Sequence, residues 1–165
     1  MTIHEWLQHY YLSARSIESR FGIPAEVTLA QSAWESGWGR SAPEYNFFGI
    51  TADGTYTGKR QLLKTTEYHS SPNVKYPIVY SVEKVGNKYK YSVKRYFRAY
   101  NNPLESFEDY AWLLILNTRY WRAFNTKDPI QFLTEVARAG YATDPNYING
   151  VTSIIRSIQK IIYST

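Results

Sequence analysis

Glu35 is the residue whose surroundings in the sequence most clearly indicate chemistry. It stands between Trp34 and Trp38, in a segment, residues 30–41, that is otherwise made mostly of small residues. Burial of a carboxyl group against indole and aliphatic surface disfavours its charged form, so the group can hold a proton near neutral pH. We therefore predict that Glu35 is a general acid; the alternative is a helix-end glutamate with no special role.

The residues around Glu35 also favour contacts with a flat, polar ligand. The glycines at positions 37 and 39 allow the backbone to turn sharply, and tryptophan rings offer surfaces on which a sugar ring can stack. The side chains that we expect to contact a bound glycan are Trp34, Trp38, Asn46, Phe47, Phe48, Tyr100 and Tyr147. For each ring the alternative is a place in the hydrophobic core, and for Asn46 it is a role in shaping a turn.

Five short segments resemble those of one known family, and they occur in that family's order. They are Gln-x-x-x-Glu-Ser-Gly-Trp-Gly at 31–39, Asn-Phe-Phe-Gly-Ile at 46–50, Thr-Thr-Glu-Tyr at 65–68, Phe-Arg-Ala-Tyr at 97–100 and Gly-Tyr-Ala-Thr-Asp-Pro at 140–145. The chain in this respect resembles glycoside hydrolase family 73, over about residues 20–163. Members are β-N-acetylglucosaminidases that cut bacterial peptidoglycan.

The resemblance implies a lysozyme-like fold and roles for two further residues. Glu67 matches the glutamate to which the family's base role is attributed, and it would face Glu35 across a cleft between two lobes. Tyr141 matches a tyrosine that the family places near the acid, where its hydroxyl would position water or the substrate's N-acetyl group. The alternatives are a solvated strand residue for Glu67 and a packed helix-boundary residue for Tyr141.

The composition excludes several other kinds of chemistry. The 165 residues include no cysteine, and the three histidines, His4, His9 and His69, show no metal-ligand spacing. Phosphate-binding glycine loops and Gly-x-Ser-x-Gly motifs are absent as well. We therefore expect no metal and no cofactor.

Charge and aromatic content narrow the class of partner. A formal net charge of +5 favours polyanions, which include nucleic acid, anionic lipid and cell wall. The 16 tyrosines, 7 phenylalanines and 5 tryptophans favour carbohydrate among these. We expect peptidoglycan glycan strands as the partner, no nucleic acid, no transmembrane segment, and a monomer.

Helix signals occur at both ends of the chain. A capping box at Thr2 starts a helix predicted over about 3–19, and a second helix starts at Pro24 and ends at Gly37. Three later helices begin at the Asn102-Pro103, Asp128-Pro129 and Asp144-Pro145 pairs, where an N-cap residue precedes a proline.

The pattern in the middle of the chain predicts β-strands. Between about residues 51 and 100, β-branched residues and tyrosines alternate with polar ones, and Gly86-Asn87 marks a hairpin tip between strands at 78–85 and 89–96. The fold class predicted is α+β, mainly helical, with a small antiparallel β-lobe between the second and third helices. One domain, residues 1–165, then has a helical lobe of about 1–50 and 101–165 and a β-lobe of about 51–100.

The predicted function is that of an endo-β-N-acetylglucosaminidase acting on peptidoglycan, in the cell wall or periplasm. The N-terminus lacks the layout of a signal peptide, so we expect delivery by another route or a longer precursor. The alternatives are a muramidase or a lytic transglycosylase on the same fold, a non-catalytic wall-binding module and, last, a nucleic-acid binder.

Overall fold

A computed structural model describes residues 1–164 of the chain. The chain divides into two compact units. One combines Met1–Phe48 with the chain from Tyr100 onward, and the other is Gly49–Ala99. The first unit is helical and the second holds a three-stranded sheet. The α+β class and the β insertion between the second and third helices, both predicted from the sequence, are confirmed.

Helix α1, Ile3–Phe21, begins at the predicted capping box. The Thr2 side chain accepts from the Glu5 N–H, and the Glu5 carboxylate accepts from the Thr2 N–H at 2.7 Å. Gly22, with a φ of 78°, ends the helix in the left-handed conformation. The inner face carries Trp6 and Ile17, both fully buried.

Helix α2, Ala25–Ser36, is the buried centre of the helical unit. Every residue from Ile23 to Ala33 is buried, so this helix has no solvent-facing side over most of its length. Pro24 is the N-cap rather than the first helical residue as predicted, and it makes no side-chain cap. The carboxylate of Glu18 in α1 accepts from the Ala25 N–H at 2.8 Å instead, so the cap comes from a neighbouring helix.

A tight turn follows α2 at the predicted glycines. Gly37, Trp38 and Gly39 all have positive φ angles, of 58°, 58° and 86°, and the chain reverses there. The buried Ser36 hydroxyl accepts from the Gly39 N–H at 2.9 Å and donates to the Ser32 carbonyl at 2.6 Å. These bonds fix the turn directly after Glu35.

Three more α-helices complete this unit: α3, Pro103–Leu116, α4, Pro129–Val136, and α5, Asn146–Ile162. Asn102 and Asp128 cap α3 and α4 through their side chains, as predicted. The carboxylate of Asp144 accepts from the Asn146 N–H, where α5 begins. Three further helical segments were not predicted: 3₁₀ segments at Pro43–Tyr45 and Thr118–Asn125, and a π-helical turn at Ala137–Tyr141, in which Gly140 has a φ of 105°.

The second unit is an antiparallel sheet in the order β1-β3-β2. Its strands are β1, Arg60–His69, β2, Ile78–Val85, and β3, Lys88–Arg98. The β2–β3 hairpin turns at Gly86-Asn87, as predicted. Tyr91 and Val93 of β3 are fully buried, whereas every residue of β2 is exposed.

No helix among residues 1–164 has the length and hydropathy that crossing a bilayer requires.

Glu26 in the first turn of α2 supplies a test of this core. Glu26 is 6 % exposed, and desolvation raises the pKa of its carboxyl group above the ordinary value. The folded state then binds the proton more tightly than the unfolded state, so the ionised side chain destabilises the fold at neutral pH. We expect Glu26→Gln to raise the melting temperature at neutral pH, with a gain that disappears once the pH falls below the ordinary glutamate pKa.

The matched control is Glu5→Gln. The hydrogen bond from the Thr2 N–H is the largest cause of a lowered Glu5 pKa. The ionised Glu5 side chain therefore stabilises the fold at neutral pH, the opposite of the effect at Glu26. This variant should lose stability at neutral pH and match the parent protein at acidic pH. Thermal denaturation of the three proteins across pH measures both effects. If the melting temperatures of the two variants changed with pH in the same way, the opposite directions of the two pKa shifts would be contradicted.

Candidate active site

Glu35 lies in the last turn of α2, one residue before the helix ends at Ser36. The residue as a whole is exposed, in contrast to the buried run that precedes it. Its carboxyl group nevertheless has enough protein around it that desolvation raises its pKa, and a hydrogen bond with Tyr147 opposes that rise. A raised pKa is a property that a general acid needs, and the role of Glu35 as that acid stays a prediction.

Four tyrosines form a cluster beside Glu35, and each comes from a different element. They are Tyr110 of α3, Tyr120 of the 3₁₀ segment, Tyr141 of the π turn and Tyr147 of α5. The ring centroid of Tyr141 lies 6.4, 6.1 and 6.2 Å from those of the other three, in that order.

The phenols of Tyr110, Tyr141 and Tyr147 stay protonated. Desolvation is the largest cause of raised pKa values for Tyr110, Tyr141 and Tyr147, and the negative charge of Glu35 raises all three further. A phenol that keeps its proton remains a hydrogen-bond donor at any pH at which the fold is stable. The cluster can therefore donate hydrogen bonds to a carboxylate or to a ligand oxygen.

Gln31 connects two members of the cluster from inside the core. Its amide Nε2 donates to the Tyr147 hydroxyl at 2.9 Å, and its Oε1 accepts from the Tyr110 hydroxyl. Gln31 and Tyr110 are fully buried, and Tyr147 is 3 % exposed. Tyr147, predicted as a glycan contact, is thus a buried residue that interacts with both Gln31 and Glu35.

Glu67 lies in the sheet unit, on strand β1. Its carboxylate pairs with Arg95 of β3, with 3.1 Å between Oε1 and the guanidinium, and Arg95 also pairs with Asp53. The Glu67 side chain is 28 % exposed and that of Arg95 only 17 %. A guanidinium that is held by two carboxylates fixes the position of the Glu67 side chain.

The two predicted tryptophans differ in their surroundings. Trp34 is 39 % exposed, packs edge-on against Tyr147 at 6.2 Å and lies directly over Gly150, where a Cβ atom would come within 2.2 Å of the indole. Trp38 is half-buried and packs edge-on against Trp6 at 5.8 Å. Both rings keep surface that a ligand can reach.

The other predicted contacts are buried. Phe48 stacks on Tyr110, with centroids 4.2 Å apart and rings 8° from parallel, and Phe47 packs against Trp6 and Phe107. Asn46 and Tyr100 are 4 % and 5 % exposed. Side chains this deep offer little surface to a glycan, and in the structure they pack in the core.

Sequence reasoning missed Gln31, Tyr110 and Tyr120 as members of the site. The spacing of Gln31, four positions before Glu35 and therefore on the same helix face, was an available signal. The two tyrosines lie 75 or more positions further along the chain, and no local pattern distinguishes them from other core aromatics. Within residues 1–164, no cluster of three or more histidine, aspartate or glutamate side chains is suited to a metal ion.

Comparison with known proteins links this geometry to one family. Residues 12–160 match the family model Glucosaminidase, described as mannosyl-glycoprotein endo-beta-N-acetylglucosaminidase. The solved glycoside hydrolase domain of FlgJ from Salmonella typhimurium superposes with a TM-score of 0.76 at 31% sequence identity, covering 98% of this chain and 91% of that one. The fold is therefore that of the lysozyme-like glycoside hydrolases.

Two curated relatives have names that describe wall hydrolysis. The peptidoglycan hydrolase FlgJ of Salmonella typhimurium is 33% identical over 164 residues, which cover 95% of this chain and 46% of that protein. A probable N-acetylmuramidase of Lactococcus lactis is 32% identical over 155 residues, covering 87% of this chain and 30% of that protein. The chain thus spans less than half the length of these relatives.

The packing of Phe48 gives a prediction about stability. Because its buried ring stacks on Tyr110, Phe48→Ala should lower the free energy of unfolding by about 3–5 kcal/mol, the usual cost of that change in a core. Trp34→Ala should cost clearly less, because the Trp34 ring is partly exposed. Urea denaturation of both variants measures the difference, and equal losses would contradict the assignment of Phe48 to the core.

Proposed function

The chain belongs to the glucosaminidase family of glycoside hydrolases, and from that membership we propose that it hydrolyses the β-1,4 bond after N-acetylglucosamine in peptidoglycan. The observation that carries the proposal is the Glu35 carboxyl, whose pKa is raised by desolvation at the end of α2. The name of the FlgJ relative, a peptidoglycan hydrolase, supports the choice of substrate.

Glu35 acts as the acid in this proposal. Its proton passes to the glycosidic oxygen as the bond between that oxygen and the anomeric carbon breaks, so the leaving sugar departs as a neutral alcohol. Water supplies the hydroxyl group that the anomeric carbon gains, and its remaining proton restores the acid–base pair. The tyrosine hydroxyls beside Glu35 stabilise the carboxylate that forms.

Glu67 is the candidate for the second carboxylate. Its pairing with Arg95 holds the side chain in one position, as a base that orients water requires. A substrate with a 2-acetamido group also allows attack by its own carbonyl oxygen, in which case the second carboxylate steadies the amide. Tyr141, with a hydroxyl that keeps its proton, would position either the water or the acetamido group.

Glycan binding is assigned to the exposed aromatic surface near the acid. Trp34 precedes Glu35 directly and retains an accessible ring face, and Trp38 lies at the turn that follows. The two units work as a single glucosaminidase domain, which we propose acts as a monomer on glycan strands in the cell wall or periplasm. We expect this acid–base hydrolysis to require no cofactor.

A muramidase is the second candidate. The Lactococcus lactis relative is named a probable N-acetylmuramidase, and it is nearly as similar to this chain as the FlgJ relative. The two activities need the same acid and differ in which sugar occupies the site beside it. The ends produced by cleavage therefore decide between them.

Replacement of the acid gives the main prediction. Glu35→Gln should fold normally, with a melting temperature at neutral pH no lower than that of the parent, because it removes a charge that desolvation disfavours. Hydrolysis of purified peptidoglycan should fall by about 10²–10⁴-fold, the usual contribution of a general acid. Release of reducing sugars measures the loss, and undiminished activity would refute the proposal.

The role of Glu67 is tested against Asp53, since both carboxylates pair with Arg95. Glu67→Gln should lower kcat much more than it changes KM, whereas Asp53→Asn should leave kcat near the parent value. Steady-state kinetics on soluble peptidoglycan fragments give both constants. Equal effects of the two substitutions would assign Glu67 a structural role in the ion pair.

Mass spectrometry of digested wall identifies the bond that is cleaved. A glucosaminidase leaves reducing N-acetylglucosamine ends, a muramidase leaves reducing N-acetylmuramic acid ends, and a lytic transglycosylase leaves anhydro-muramic ends. We expect the first product, and Glu35→Gln serves as the inactive control. Binding of insoluble wall without release of any product would indicate a binding module instead.

A further inference from the structure

Gln31 is a fully buried amide that lies between two buried phenols. Its neighbours along α2 are small or apolar, and the glutamine itself is 0 % exposed. Burial of an amide is unfavourable unless its hydrogen bonds are satisfied. Both ends of this amide are bonded, to Tyr110 of α3 and to Tyr147 of α5, which lie 79 and 116 positions away in the chain.

The hydrogen bonds of this group run in one direction. The Tyr110 hydroxyl donates to Gln31 Oε1, and this bond fixes which way the amide faces. The amide Nε2 then donates to the Tyr147 oxygen at 2.9 Å. Because that oxygen already accepts a hydrogen bond, the single Tyr147 hydrogen is free to be donated to Glu35, with which Tyr147 interacts.

The reversed amide would give the opposite result. With Nε2 facing Tyr110 and Oε1 facing Tyr147, the Tyr147 hydrogen would be donated to Gln31. Glu35 would then lose that donor, although no side chain other than that of Gln31 would have changed its heavy-atom position. The orientation of one amide group therefore decides whether the carboxylate receives this hydrogen bond.

We propose that Gln31 is a positioning residue that directs the Tyr147 hydroxyl toward Glu35, with Tyr110 fixing the direction of the amide. The inference rests on the proposed function, in which Glu35 is the acid. Its effect is greatest as the proton leaves Glu35, because a hydrogen bond to the resulting carboxylate is stronger than one to the protonated acid. Gln31 itself does not touch the substrate.

The groups that face Glu35 make a pH profile a clean reporter of this arrangement. The charge of Glu35 acts on Tyr110, Tyr141 and Tyr147, which lie in α3, the π turn and α5, and Tyr120 packs against Tyr141. Desolvation raises the pKa values of Tyr110, Tyr141 and Tyr147 still further above that of a carboxyl group. A change in the basic limb of the activity profile therefore reports Glu35.

The experiment compares Gln31→Leu, Tyr147→Phe and the double variant with the parent on soluble peptidoglycan fragments. Tyr147→Phe removes the hydrogen bond to the charged form of Glu35, and Gln31→Leu removes the amide that holds and polarises its donor. The basic limb should therefore move to higher pH in all three variants, and less in Gln31→Leu than in the other two. We expect kcat on the plateau to fall about tenfold, the scale of one hydrogen bond to a charged group, with KM little changed. The double variant should lose no more than Tyr147→Phe alone, because Gln31 acts on Glu35 only through the Tyr147 hydroxyl.

Tyr110→Phe keeps the shape of the core and removes only the hydroxyl that orients the amide. It should shift the basic limb in the same direction by a smaller amount, and it replaces Gln31→Leu if that variant does not fold. Tyr10→Phe is the control, since Tyr10 is a buried phenol of α1 packed among Trp6 and Phe47, away from this cluster. Its pH profile should match that of the parent.

Two results would overturn the proposal. One is a parent-like kcat and basic limb in folded Gln31→Leu and Tyr110→Phe. The other is a fall in kcat that follows the folded fraction, measured by circular dichroism, with the basic limb unmoved, which would show a purely structural role. Either result leaves the assignment of Glu35 intact, because that assignment is tested separately by Glu35→Gln.

Discussion

Burial of a polar side chain is unfavourable without a hydrogen-bond partner, and α2 has no solvent-facing side from Ala25 to Ala33. Ser32 and Ser36 solve the problem locally by donating to backbone carbonyls of the same helix. Gln31 cannot do so, and its amide requires Tyr110 and Tyr147 from two other helices. The need to satisfy one buried amide thus fixes α3 and α5 around the end of α2, where Glu35 stands.

The end of α2 is as constrained as its middle. A helix that continued past Ser36 would surround Glu35 with a further turn of its own, and the three positive φ angles at 37–39 prevent this. Trp38 adopts one of them without the freedom of glycine, at a cost in backbone energy that its packing on Trp6 offsets. The Trp6 indole in turn donates to the Leu29 carbonyl of α2, so the turn and the helix share one anchor.

Local signals in the sequence predicted most of the fold. The capping box at Thr2, the Asn102 and Asp128 caps and the Gly86-Asn87 turn depend on residues within four positions, and all are present in the structure. The cap that Glu18 supplies to α2 depends on tertiary packing, so no local pattern reveals it. The same limit applies to the site: residue type cannot separate Phe48, stacked in the core, from Trp34, which keeps an open ring.

Glu26 and Glu35 show why burial alone does not make an acid catalyst. Both lie on α2, and desolvation is the largest cause of a raised pKa for each. Around Glu26 the opposing influences are its own backbone N–H and the charge of Arg15, whereas Glu35 has a phenol donor that Gln31 holds in place. Desolvation favours the protonated form of Glu35, and the Tyr147 hydrogen bond stabilises the carboxylate once the proton has gone. Glu35 stands where α2 leaves the core, so it is exposed to a ligand and has the Tyr147 hydroxyl beside it, whereas Glu26, at the start of α2, is buried.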